Sequence, residues 1–209
     1  MLKLRIWDRH SNSPLYFDIC RDSYRNYLLS LQQWLVQPLT PETENYPIHP
    51  LPVETRKFID LCRQTQKNWI TSVVFGALCL ESFIYDYATS VFSTTYVNNY
   101  LDGLNLKAKW VIIPKLVTGK VFPTDSYAFQ QLGNLSQERN KLVHHKSKPM
   151  EPASEFTKRV REEIKSGKYL TNKNSDSLNP YQVVVEVLTE LGKLDSDRTK
   201  KRCWNFEEE

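Results

Sequence analysis

The sequence predicts an all-α helical bundle. Apolar residues recur at spacings of three and four through most of the 209-residue chain, and no segment alternates convincingly with the period of two that a half-buried strand requires. Hydrophobic residues make up 40% and charged residues 25%, the balance of a globular chain rather than a disordered tail. That length can bury a core without disulfides or metals, and no internal repeat divides it.

Residues 15–36 place Tyr24, Tyr27, Leu28, Leu31, Trp34 and Leu35 on one stripe, which marks an amphipathic helix. "QPLTPETENYPIHPLP", residues 37–52, packs five prolines into sixteen residues and must be a surface loop. "VETRKFIDLCRQTQ" resumes a helical pattern with an early acid. Segment 69–92 is the most apolar and is the expected central helix. A short helix and a turn around Asp102 and Gly103 follow, then a helix bent or ended at Pro114 and closed by Gly119. Thr124, Asp125 and Ser126 offer caps for a helix that carries Phe129, Leu132, Leu135 and Leu142, weakened at Gly133 and ending near Lys146. A charged helix around 153–166, a polar loop at 171–179 and a helix at 180–194 complete the chain. "VVVEVL" at 183–188 is β-branched, yet its flanks favour a helix. Six to eight helices are expected, forming a bundle.

Charge is uneven. Residues 139–173 hold ten Lys or Arg against four acids, a local excess of +6 within a chain of formal net charge +4. Such a segment suits an anionic partner, RNA being the obvious one, and equally describes a solvated helix face. Cys20, Cys62, Cys79 and Cys203 form no C-x-x-C pair and suit buried hydrophobes in a reducing compartment. The N-terminal "MLKLRIWDRHSNS" does not resemble a signal peptide, and the longest apolar stretch contains Glu81 and Asp86, too polar for a confident span. The expected location is the cytoplasm, without a membrane partner.

Two features point to chemistry. The central stripe of Ile70, Val73, Val74, Ala77, Ile84, Ala88 and Val91 has a carboxylate, Glu81, in its path. A buried carboxylate needs a cation or donor facing it, and Arg139 is the first candidate. The second feature is "QERNKLVHHK", residues 137–146, where two histidines follow an arginine at the end of a helix. Arg139 and His144 stand about 7.5 Å apart along a helix axis and about 140° around it. One rigid helix cannot close both on one phosphate, whereas two copies meeting on a two-fold axis can. Asn140 and His144, four apart, share a face.

"RNKLVH" resembles the signature of the HEPN superfamily (higher eukaryotes and prokaryotes nucleotide-binding domains): arginine, a polar residue that is often asparagine, a few more residues, histidine. "LESFIYDYA" at 80–88 is similar to the acid-bearing helix of bacterial HEPN groups, and "KWVIIPKLVTG" also looks like theirs. The resemblance spans about residues 55–148. It divides the chain into an N-terminal helix and Pro-rich loop (1–52), a HEPN-like core (53–150) and a basic helical extension (151–209).

The resemblance implies a metal-independent, cofactor-free endoribonuclease. Such proteins are usually homodimers, often the toxin of a toxin–antitoxin or defence system, so an antitoxin protein is a further expected partner. It implies Arg139, His144, Asn140 and Glu81 as site residues, with His145, Lys141 and Lys146 as accessories; which histidine acts is open, and His144 is preferred because it pairs with Asn140. Histidine suits this work because imidazole's reference pKa of ~6.5 lies near working pH. It takes the proton of a ribose 2′-hydroxyl, whose oxygen attacks the adjacent phosphorus and leaves a 2′,3′-cyclic phosphate and a 5′-hydroxyl. Arginine clamps the non-bridging oxygens with a planar fork that lysine lacks.

Competing readings are a catalytically silent HEPN dimer that binds RNA, nucleotide or a partner protein, and a metal hydrolase using His144, His145 and either His49 or an acid. Against the latter, neighbouring histidines on a helix diverge by about 100°, and no H-E-x-x-H occurs. The blandest reading makes "VHHK" cations favoured at a helix C-terminus. No glycine-rich phosphate loop is present, and the five tryptophans at 7, 34, 69, 110 and 204 suit core or interface better than base stacking.

Overall fold

A computed structural model describes residues 11–36, 53–144 and 178–195. The fold is an all-α bundle, as the periodicity predicts. Six helices run in order among the described residues: α1 (Ser13–Val36), α2 (Val53–Thr89), α3 (Thr94–Tyr100), α4 (Leu106–Thr118), α5 (Tyr127–Val143) and α6 (Pro180–Leu194). The Pro-rich loop, the charged helix expected at 153–166, His49, His145 and Lys146 lie outside the described residues.

Helix ends form where the side chains can satisfy orphan backbone groups. Ser93, Asn105, Ser126 and Asn179 each accept a hydrogen bond from the backbone N–H three residues on, capping α3, α4, α5 and α6. Of the three cap candidates before α5, Ser126 is the one used. Pro180 opens α6, where a missing N–H costs nothing. Gly119 closes α4 in the left-handed region at φ 75°, a conformation that favours glycine. Pro114 sits buried inside α4 without ending it.

The 37-residue α2, about 55 Å long, is the spine. Its polar stretch around Gln64–Asn68 does not interrupt it; no Pro or Gly stands there, and the Gln64 amide bonds Asn68 within the helix at 3.1 Å. α1 runs antiparallel along α2: Cys79 Sγ lies 3.4 Å from the Ser13 carbonyl, Tyr16 meets Phe75, and Tyr27 meets Trp69. α6 runs parallel to α2, beginning at Gly76 and ending where Tyr87 Oη donates to Asp195 at 2.7 Å. Lys120, before α5, reaches the Leu194 carbonyl at 3.3 Å, so α5 starts by the end of α6 and returns along α6 and α2.

The core lies around the second half of α2. Leu80, Phe83 and Ile84 join Trp110 and Ile113 of α4, Leu132 and Leu135 of α5, and Val184, Val187 and Leu191 of α6. Phe83, Trp110, Phe122 and Phe129 form a chain of ring contacts at 5.7–6.2 Å. Trp110 is therefore core and out of reach of a nucleobase. Cys20 and Cys79 are buried free thiols, and burial pushes both well above the ordinary thiol range, which keeps them protonated and inert. One stretch of α2, Asp60–Thr89, is long and apolar enough by length and composition to cross a membrane; here α1, α4, α5 and α6 pack against α2.

Two glycines make opposite demands. A Cβ on Gly76 would meet Cys20 Sγ at 3.2 Å and the Cβ and carbonyl of Pro180 at 3.4 and 3.5 Å, so three helices converge there and an added methyl fits only if the buried Cys20 side chain gives by a few tenths of an ångström. A Cβ on Gly133 would meet only the flexible end of Lys107, which lies over the Phe129 ring. Gly76→Ala is expected to destabilise by ~1–3 kcal/mol through overpacking, despite its better helix propensity. Gly133→Ala is expected to be neutral or stabilising by up to ~1 kcal/mol. Denaturant unfolding of the two variants checks the contrast.

Candidate functional site

α5 leaves the core before it ends. Its buried face runs Ala128, Phe129, Gln131, Leu132, Gly133 and Leu135, and beyond Leu135 only the partly buried Leu142 still packs on the core. Asn140, Lys141, Val143 and His144 are exposed, and Arg139 is half-buried. The helix stops at Val143, three residues short of the expected end, with His144 as its C-cap. The motif thus occupies the more exposed end of a helix whose Leu142 still packs on the core.

Asn140 links the other two residues of the motif. Its side-chain oxygen accepts from Arg139 Nη1 at 3.0 Å, and its backbone carbonyl accepts from the His144 N–H at 2.9 Å. Lys141 pairs with Glu138 at 3.1 Å, one turn back.

Glu81 is not where the apolar stripe put it. The buried face of α2 centres on Leu80, Ile84 and Tyr87, roughly a quarter turn away, so the Glu81 side chain sits at the rim, 42% exposed. Its partner is Lys109 of α4, at 3.6 Å, and no ion pair joins it to Arg139 among the described residues. The buried charge of the pair is the lysine. The Lys109 side chain is 3% exposed, and its ammonium bonds Asp102 at 2.8 Å in the turn before α4. Lys109 therefore ties α2, that turn and α4 together.

Sequence reasoning missed Lys109, although the signal was present. Leu106, Lys109, Trp110, Ile113 and Val117 follow helical spacing, which puts a cation in the apolar stripe of α4 just as Glu81 lies in the pattern of α2. Two anomalies of opposite sign on neighbouring helices propose each other as partners. Among the described residues, no group of three or more His, Cys, Asp or Glu side chains is placed to hold a metal ion.

Comparison with known proteins adds no identification: no family model, curated protein or solved structure matches the chain.

The geometry ranks the two acids around Lys109. Asp102→Asn removes a short charge-assisted hydrogen bond from a buried ammonium and is expected to cost ~1–3 kcal/mol. Glu81→Gln weakens a longer, half-solvated contact and is expected to cost less than ~1 kcal/mol. Urea unfolding checks the order; equal losses would mean that the ammonium is shared evenly.

Proposed function

We propose that the chain is a metal-independent endoribonuclease of the HEPN type, working as a homodimer whose composite site is built from the last turns of α5. One observation carries the reading: Arg139, Asn140 and His144 lie together on the last turns of α5, and the Asn140 side-chain oxygen accepts from the Arg139 guanidinium. The spacing of Arg139 and His144 supports a dimeric reading, because about 140° of helix separates them and a second copy can bring an arginine and a histidine to one phosphate. Val143, 52% exposed and one turn beyond Arg139, supplies apolar surface for that contact.

In this reading His144 removes the proton of the 2′-hydroxyl, and the 2′-oxygen attacks phosphorus. The bond to the 5′-oxygen breaks, giving a 2′,3′-cyclic phosphate and a 5′-hydroxyl. Arg139 holds the non-bridging oxygens as negative charge builds on them, and Asn140 fixes the guanidinium. Glu81 enters as the partner of Lys109 rather than as an orienter of Arg139.

Purified protein is expected to cleave a mixed RNA pool in EDTA and leave cyclic phosphate ends. His144→Ala should lower the rate by ~10²–10⁴-fold, and Arg139→Ala by a comparable factor. Cleavage by His144→Ala at the wild-type rate would remove His144 from the mechanism. Silence from wild type, with clean dimers in solution, would replace the enzyme with a binding module.

A further inference from the structure

The short helix α3 carries rings that the core does not use. Phe92, Tyr96 and Tyr100 stand four residues apart and touch in series, with centroid steps of 5.4 and 5.1 Å. Only Val97 of this helix is buried, whereas Tyr96 is 41% and Tyr100 68% exposed. Neither tyrosine hydroxyl makes a hydrogen bond among the described residues, and Asn99 beside them is exposed as well. The three rings pack on one another and leave apolar area in water that a bound partner would cover.

The chemistry of this surface narrows the partner. Residues 87–101 hold no charged side chain and Asp102 follows, so the segment offers nothing to neutralise a phosphate backbone. It offers aromatic faces with hydroxyl and amide donors beside them. A polyproline II segment is the complement, because its proline rings are apolar and its backbone carbonyls have no internal partner. The dimensions agree. The two ring-to-ring steps together reach about 10 Å, and one turn of polyproline II, three residues, rises about 9 Å. Prolines three apart therefore match the two outer rings.

The chain carries such sequences itself. Residues 37–52 contain Pro38-x-x-Pro41 and Pro47-x-x-Pro50, with Glu42 and Glu44 between the two motifs. They cannot reach their own ladder. The segment is tied to Val36 and Val53, and the ladder follows Thr89 at the other end of α2, about 54 Å from Val53. Half of sixteen residues reaches only about 28 Å when fully extended. A second copy removes the obstacle. Two chains lying antiparallel bring each segment to the other's ladder, so the contact is made twice and closes.

We propose that the ladder of Phe92, Tyr96 and Tyr100 binds the proline-rich residues 37–52 of a second copy of this chain. Prolines three apart pack on the rings, and the Tyr96 and Tyr100 hydroxyls donate to backbone carbonyls of the segment. The contact is separate from the α5 terminus and needs no RNA.

The test uses a fluorescein-labelled peptide of residues 37–52, followed by anisotropy. It is titrated with the full chain carrying Pro38→Ala, Pro41→Ala, Pro47→Ala and Pro50→Ala, whose own segments no longer compete for the ladders. That chain is expected to bind the peptide, and adding Tyr96→Ala and Tyr100→Ala should weaken binding by about tenfold or more. A thermal melt verifies that each variant folds. In sedimentation velocity the four proline substitutions should raise the concentration at which copies associate, relative to wild type. Equal peptide binding with and without the tyrosines, or none in either, would overturn the proposal. Peptide binding with wild-type self-association in the proline variant would remove the second copy as the occupant. If loss of the tyrosines abolished binding of a 2′-O-methyl RNA and spared the peptide, the ladder would belong to nucleobases and the proposal would fall.

Discussion

The bundle depends on one close approach. At Gly76 the backbone of α2 comes so near to α1 and α6 that a methyl group would press on Cys20 Sγ and touch Pro180. α6 begins at the level of that contact. With the Tyr87–Asp195 hydrogen bond at the far end, it makes α6 parallel to α2. α5 then lies along α6 and α2 together.

Two kinds of surface result. Around the second half of α2, aromatic and aliphatic side chains from four helices close the core, and the buried ammonium of Lys109 is held by Asp102 and Glu81. The last turns of α5, with Asn140 and His144 exposed, are the second kind. Under the proposed function the core supplies rigidity and the α5 terminus supplies chemistry. Lys109 contributes only to the first.

Much of the fold was legible because local signals agreed with tertiary packing. Ser126, Gly119 and the 180–194 periodicity mark boundaries that the structure keeps, and the β-branched 183–188 is helical because its valines alternate between the core and its margin in helical register. The continuity of α2 was not legible, since a polar turn at 64–68 looks like a break until a neighbour is known to cover only one side of it. Glu81 was misassigned because its stripe was drawn from aliphatic residues alone; including Leu80, Phe83 and Tyr87 rotates the buried face away from it. The proximity of Arg139, Asn140 and His144 followed from spacing. The bond between Arg139 and Asn140 did not, because adjacent residues on a helix ordinarily point apart.

The central claim is that one functional centre draws its arginine and its histidine from different chains. Subunit complementation tests it most directly. Arg139→Ala and His144→Ala chains, each inactive alone, are unfolded together, refolded and assayed on RNA. A composite site yields one intact centre in every mixed dimer, so cleavage should return to within about tenfold of wild type. Mixed dimers that form, as seen by native mass spectrometry, yet stay as inactive as either parent would contradict it.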